Sequence, residues 1–405
     1  MEPLIYWVWL TTLKGLNDAC RHRLLAHFGS PENIYLADAR TLSQVGGLTA
    51  GQVRALENKA TDAARRILDT CGRKNIFILT MHDARYPQRL RNIFEPPLLL
   101  YGRGEMPLFD EEVAVAVVGT RFCTDYGLRM AEQFGFDLSR QGALVVSGLA
   151  AGVDAAAHRG ALRAGRATAA VVGCGVDVVY PAENGRLYED IAASGVILSE
   201  YPPQTPPARW RFPARNRILS GLSLAALVVE APEKSGALIT AAAAAEQGRD
   251  VFALPGRLDA ESCRGSNCLL RDGASLATES WDILGEYQHR YPHKLHRDGQ
   301  PLPSHTSGDA SPVGGAEKPQ KQKESSALPV IDIGRNAEGL SGDEIMVLRL
   351  LDSEAPMLTD DIAQEAGVPV QQVLAAVTML EIEGFIRREG LRKFVRTVEL
   401  KDTKE

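Results

Sequence analysis

The chain has 405 residues, with 45 Lys and Arg against 51 Asp and Glu and a formal net charge of −6. At roughly 100–200 residues per domain, this length predicts two or three domains, and 45% hydrophobic with 24% charged residues excludes wholesale disorder or a collagen-like repeat. No run approaches the roughly 20 apolar residues of a membrane span, and the acidic balance, taken alone, argues against a simple nucleic-acid-coating protein.

The first residues, MEPLIYWVWLTTLKG, carry Glu2 and lack a small-residue cleavage site, so they do not read as a signal peptide. Six cysteines without a CxxC are too sparse for a disulfide framework and fit a reducing cytoplasm. Residues 1–74 read as short helices: LNDACRHRLLAHFG, PENIYLAD and LTAGQVRALENKATDAARRILD. A glycine turn at Gly46 and Gly47 precedes the last, as in a helix-hairpin-helix or SAM-like domain, and both a packing role and a nucleic-acid role stay open.

Over 75–287 the pattern changes. The runs IFILT, VAVAVVG, ALVVSG, TAAVVGCG, GVILSE, LAALVVEA and DVFALPG alternate with helical stretches such as GLRMAEQFGFDLSRQG. Near-continuous apolar strands alternating with helices predict a doubly wound α/β sheet covered on both faces. Residues 288–335 are rich in Pro, Ser, Gly and Lys and read as a flexible linker. Its histidines, His289, His293, His296 and His305, read as solvated side chains rather than a metal tract. Residues 336–405 predict helices starting at Ser341, at a Thr359–Asp361 cap and at Pro369, then two strands in FIRREGLRKFVR. Three helices and a wing give the winged-helix order.

Several turns at strand ends suit anions. Gly119 and Arg121 follow one strand, where backbone N–H groups at a helix start and a guanidinium can meet a phosphate. Ser147 and Gly148 form a second turn, running into a helix with Asp154 and His158 at i and i+4. No GxSxG elbow supports a Ser–His–Asp nucleophile there, and Asp154 and His158 read as fasteners of the helix start. The segment Arg209–Arg217 holds four arginines, Trp210 and Phe212, and no acid occurs between Tyr201 and Val229. Interleaved cations and aromatics suit single-stranded nucleic acid, with guanidiniums on phosphates and rings on splayed bases. Arg215 or Arg217 is expected to pair with a core carboxylate. Ser235 and Gly236 repeat the glycine-and-helix-start theme, and Cys263 and Cys268 lack metal-pair spacing. Nowhere does the chain present an acid, base and nucleophile set.

Taken in order, VVGTR…YG, VVSGLAAGVDAAAH, AVVGCGVDVVYPAEN, SEYPP, FPARNRILSGLS, VVEA…SGALITA, EQGRDVFALPG and GSNCLLRDGA resemble the DNA-processing protein DprA (Smf) family. The resemblance runs from about residue 85 to 285, and the end domains are also similar to those of the family. It implies an extended Rossmann-like domain that binds single-stranded DNA as a homodimer. It further implies protection of incoming DNA in natural transformation and loading of the recombinase RecA onto strands covered by single-strand-binding protein, without catalysis, metal or cofactor. Carried over by position, the phosphate-binding arginine falls on Arg121, after Gly119, and the Ser-Gly turn on Ser147 and Gly148. The basic residue and stacking aromatic of a K-x-x-F pattern fall on Arg209 and Phe212, with Arg in place of the common Lys. The RNR element falls on Arg215, Asn216 and Arg217, and the later glycine and asparagine on Gly236 and Asn267.

In the winged helix, the third helix has Glu381 and Glu383 but no Lys or Arg from Val370 to Gly384. A helix that enters the major groove brings cations to phosphates and bases. This domain is therefore expected to contact protein, or to use only its wing (Arg387, Arg388, Arg392, Lys393, Arg396) on DNA. Two enzyme readings compete. A phosphoribohydrolase acting on free nucleotides would need the PGGxGT loop of that class, and a dehydrogenase would need GxGxxG; both are missing.

Overall fold

A computed structural model describes residues 4–297, 330–332, 340–353, 356–368, 370–382, 385–388 and 393–401. The chain divides into two compact units, Met1–Thr306 and Ser307–Glu405.

The first unit begins with helices α1 (Leu4–Thr12), α2 (Asp18–Phe28), α3 (Pro31–Leu36), α4 (Ala39–Ser43), α5 (Ala50–Glu57) and α6 (Asp62–Arg73). Helix α1 is apolar all round and buries Trp7, Val8, Trp9 and Leu10, as expected of a helix with neighbours on every side. The Trp9 indole donates to the Asn58 carbonyl at 2.9 Å. Asn17 caps α2, Gly29 ends it at φ 76°, and Thr49 with Gln52 forms a capping box on α5. The boundary expected near residue 74 does not separate two bodies. Trp7, Trp9 and Leu24 share one hydrophobic cluster with Leu99, Tyr101 and Ile197 of the sheet, and Lys74 bridges to Asp177 at 2.6 Å.

The sheet is built from β1 (Phe77–Thr80), β2 (Leu99–Gly104), β3 (Ala114–Val118), β4 (Leu144–Ser147), β5 (Thr168–Val171), β6 (Val196–Ser199), β7 (Ala225–Val228), β8 (Asp250–Ala253) and β9 (Ser275–Leu276), in the order β1-β2-β6-β5-β4-β3-β7-β8-β9. Strands β6 to β9 in that order pair in parallel, while β2 runs antiparallel to β6 and to β1. The intervening helices are α7 (Gln88–Arg91), α8 (Asp125–Arg140), α9 (Val153–Arg163), α10 (Gly185–Ser194), α11 (Arg211–Gly221), α12 (Gly236–Glu246), α13 (Arg264–Arg271) and α14 (Trp281–Leu284). Alternate residues of β3 enter opposite cores: Val115 and Val117 pack with α8 and α9, while Ala114, Ala116 and Val118 pack with α11 and α12. From β3 the chain winds outward to β6, then returns to β7 on the other side of β3. The crevice between the loops after β3 and β7 is thus the topological switch point, where such sheets bind ligands.

Residues 288–297, expected in the linker, belong to this unit. Leu295 is buried, Arg89 donates to the Tyr291 hydroxyl at 3.4 Å, Lys294 pairs with Glu112 at 2.6 Å, and the His296 amide donates to the Gln141 carbonyl. The rest of the linker, 298–329, with His305, lies outside the described residues. No described helix is long and apolar enough to cross a membrane, and all six cysteines are free.

The second unit has its own core, including Val347, Leu348, Ile362, Val373, Val377, Leu380 and Phe394. It holds β10 (Val330–Asp332), α15 (Gly342–Leu350), β11 (Met357–Leu358), α16 (Thr359–Ala366), α17 (Val370–Ile382), β12 (Ile386–Arg388), β13 (Lys393–Arg396) and β14 (Glu399–Lys401). Ser341 and Glu344 form a capping box on α15. The expected cap at Thr359 does not form: Thr359 is the first helical residue, and Leu358 precedes it without a side-chain bond. Strands β12 and β13 pair as the wing hairpin, with Arg387 opposite Val395. The site expectations at Glu383 and Arg392 fall outside the described residues.

The α8–α9 crossing depends on glycine. A Cβ at Gly135 would stand 2.3 Å from the Ala157 carbonyl oxygen, and one at Gly160 would stand 2.1 Å from that of Glu132. Gly160→Ala is therefore expected to destabilise the first unit by about 1–3 kcal/mol, since backbone atoms cannot rotate aside. Gly72→Ala, where a Cβ meets nothing within 4 Å, should leave stability unchanged or raise it by about 0.5–1 kcal/mol. Thermal unfolding of the two variants checks the opposite signs.

Candidate nucleic-acid interface

The loop after β3 is fastened from β7. The Thr120 amide donates to the Glu230 carbonyl at 2.8 Å. The Glu230 carboxylate, fully buried, accepts from the Thr124 hydroxyl at 2.9 Å and from the Thr124 amide. Thr124 in turn caps α8 by accepting from the Gly127 amide. Gly119 sits where a Cβ would meet Val153 at 2.5 Å, so the loop hugs the start of α9. This loop carries Arg121, whose exposed guanidinium lies over the Phe212 ring, 4.9 Å from its centroid.

Helix α11 supplies Phe212 and is anchored by its arginines. Arg215 is 5% exposed and donates to the Gly148 carbonyl at 2.9 Å, to the Val171 carbonyl, and to Asn216 Oδ1 at 3.1 Å. A Cβ at Gly148 would stand 2.3 Å from Arg215 Nη1 and 2.5 Å from Asp154 Oδ2, so only glycine lets these two groups face each other there. Burial pushes the Asp154 carboxyl above the ordinary carboxylate range, and the Arg215 charge opposes that rise. Arg217 makes a bidentate pair with Glu200 at 2.8 and 3.0 Å and donates to the Glu95 carbonyl. The expected pairing of a core carboxylate with this segment is thus made by Arg217. Asn216 reaches across to the Gly236 carbonyl at 3.2 Å and ties α11 to the start of α12, which Ser235 caps.

Seven of the eleven expected site residues line one cavity of about 650 Å³: Gly119, Arg121, Arg209, Phe212, Arg215, Asn216 and Gly236. A Cβ at Gly236 would meet nothing within 4 Å, so this glycine opens onto the cavity instead of serving packing. The other four lie off the cavity wall. The Ser147 hydroxyl is buried and donates to the Val117 carbonyl at 2.6 Å. Gly148 is covered by Arg215, and Arg217 is engaged by Glu200. Asn267 clamps the turn after β8, accepting from the Gly256 amide at 3.0 Å and donating to its carbonyl at 3.1 Å. His158 is buried, its ring against the Thr168 hydroxyl at 2.8 Å, and burial pushes its pKa down to about 3. That hydroxyl donates to the Val145 carbonyl, so the ring nitrogen Nδ1 carries the proton. The Ser147 hydroxyl and the His158 Nδ1 are thus each spoken for inside the core, while His158 Nε2 is buried without a partner.

The cavity also includes Tyr180, Lys234 and Ile239, which sequence reasoning did not select, and Asp154, which it read as a fastener of the helix start. Tyr180 stacks on Phe212 with centroids 5.7 Å apart and planes at 29°. Four cations, Arg121, Arg209, Arg215 and Lys234, line the wall against one carboxylate, Asp154. Among the described residues, Arg209 and Lys234 make no hydrogen bond or ion pair within the chain. Two uncommitted cations, a third over a ring, and stacked aromatics on a concave wall suit a polyanion with planar groups.

Residues 77–288 match the family model of the DNA recombination-mediator protein A, and residues 334–390 that of the DprA winged helix domain. The chain is 34% identical to Protein Smf of Synechocystis over 96% of this chain and 97% of that one. It is 33% identical to Protein Smf of Escherichia coli over 94% and 92% of the two chains. The crystal structure of DNA processing protein A from Streptococcus pneumoniae superposes with a TM-score of 0.63 at 33% identity, covering 71% of this chain and 99% of that one. With a family model matching more than half of the chain, the winged-helix model following it, and a relative 34% identical over nearly its whole length, the chain belongs to the DNA recombination-mediator protein A (DprA/Smf) family.

Proposed function

We propose that the protein is a non-catalytic, homodimeric binder of single-stranded DNA that protects incoming strands in natural transformation and loads RecA onto strands covered by single-strand-binding protein. The observation that carries the DNA reading is the Arg121 guanidinium over Phe212 at a cavity where four cations face one buried carboxylate. Phosphates neutralise such cations, and unpaired bases offer faces to the rings; a duplex keeps its base faces stacked inside. The absence of catalysis is supported by the commitments of the candidate groups. Asp154 is buried against Arg215, and the Ser147 and His158 side chains are bonded within the core.

Arg121→Ala, Arg209→Ala and Lys234→Ala should each weaken oligothymidine binding and lower the slope of log K against log salt by roughly one. Phe212→Ala should cost about 1–3 kcal/mol. Arg217→Ala should chiefly lower thermal stability, because it strands Glu200 in a half-buried site. Unchanged affinity in all four cavity variants would overturn the assigned interface. Release of free base from nucleoside monophosphates by the pure protein would overturn the non-catalytic reading. Recombinase loading is checked by RecA strand exchange on DNA coated with single-strand-binding protein, which the wild type should accelerate. The homodimer is checked by size-exclusion chromatography.

We further infer that the winged helix does not read duplex DNA through α17, which carries Glu381 and has no Lys or Arg between Val370 and Gly384. Residues 336–405 alone should bind duplex no tighter than the non-specific range of about 10⁻⁴–10⁻⁶ M at physiological salt. Tight duplex binding by this fragment would reverse the inference.

A further inference from the structure

Phe212 is not a bare platform. Arg121 lies over its ring, Tyr180 stacks on it, and a Cβ at Gly173 would stand 3.1 Å from its Cδ1. Phe212 is half-buried; among the more exposed rings, Phe122 lines the cavity and Trp210 stands two residues before Phe212. Trp210 is 66% exposed at the N-cap of α11, while Trp7 and Trp9 are 1% exposed and Trp281 is half-buried under Arg297. Trp210 is not loose. The Arg211 guanidinium lies 4.8 Å from its ring centroid and 5.0 Å from that of Tyr201, and Tyr201 meets Trp210 edge-on at 6.2 Å. Arg211 is pinned in turn by donating to the Pro206 carbonyl. Its Nε is buried without an acceptor, and among the described residues no carboxylate pairs with it.

Resting on the single-strand reading above, we propose that Trp210, Arg211 and Tyr201 form a second nucleotide subsite outside the cavity. Trp210 does not line the cavity, but its neighbour Arg209 does. A strand whose phosphate is held by Arg209 therefore brings the next base over the indole. The guanidinium behind the ring polarises the stack and adds positive charge beside an adjacent phosphate. Bulky exposed rings cost solvation in a free protein, and a ring pre-oriented by a cation loses little freedom when a base covers it. The acid-free run from Tyr201 to Val229 keeps this path clear of like charge.

The test is an oligothymidine series, from a dinucleotide upward, with the full chain. Trp210→Ala should bind the shortest oligomers as the wild type does, yet lose roughly 5- to 150-fold on longer ones. Trp210→Phe should regain most of that loss. Long oligomers should quench the wild-type tryptophan fluorescence, and the quench should vanish in Trp210→Phe while binding persists. Because the ring is exposed, the thermal midpoint of both variants should match the wild type. Equal affinity of Trp210→Ala and wild type for long oligomers, or a quench that survives in Trp210→Phe, overturns the subsite. So does loss of the homodimer in Trp210→Ala with DNA binding per protomer intact, which would make the ring a protein contact. A wild type that binds no oligomer at any length overturns the single-strand reading itself, an outcome separable from failure of the subsite alone.

Discussion

The guanidinium of Arg215 sits beneath the interface and closes off carbonyls that no strand can satisfy. Gly148 lies just past the end of β4 and Val171 ends β5, and Arg215 bonds to both oxygens while opposing the buried charge of Asp154 at the start of α9. Two strand ends and two helices therefore meet at one cation. Taking it away would leave an uncompensated carboxylate and open carbonyls in a dry site, which is among the more damaging changes available to a fold. Phe212 stands one helical turn earlier on the same helix, so the position of the stacking ring is inherited from this buried contact. Arg217, two residues on, repeats the device against Glu200 and fixes the other side of α11.

The same constraint divides four arginines of one short segment into two kinds. Arg215 and Arg217 hold α11 down and leave Arg209 and Arg211 to the outer surface. Net charge conceals the division further. Fourteen acids and eight bases fall in residues 336–405, so the first 335 residues carry 37 of each sign, and the −6 of the chain belongs to the winged-helix end. A neutral body with a local cationic wall concentrates its attraction for a polyanion at that wall instead of spreading it over the surface.

The sheet was legible in the sequence because strands buried on both faces leave near-continuous apolar runs that little else produces. The glycine turns were legible because each stands at the end of such a run. Burial of individual polar side chains was not. Arg209 and Arg215 are the same residue type in one segment, but Arg209 lies in the exposed turn before α11 and Arg215 on the buried face of that helix. The Ser147–Gly148 turn was readable as a strand-end turn, but the donation of the Ser147 hydroxyl to the Val117 carbonyl of β3 was not. Tyr180 and Lys234 come from loops far from Phe212 in the chain, and no local pattern marks residues that converge only through topology. The N-terminal helices were readable as helices, but periodicity does not say what their apolar faces meet. The cluster of Trp7 and Trp9 with Leu99 and Tyr101 makes them one body with the sheet.

Glu230 gives the interface a kinetic character. Its carbonyl and carboxylate bind the β3 loop from the β7 side, and Asn216 joins α11 to the Gly236 carbonyl. The segments that present Arg121, Phe212 and Lys234 are thus cross-braced before any ligand arrives. Binding at such a surface needs little ordering of loops, so most of the contact energy survives as affinity. On the proposed reading, capture would be governed chiefly by encounter and charge steering. A polyanion reaching the cavity would meet a wall that is already braced.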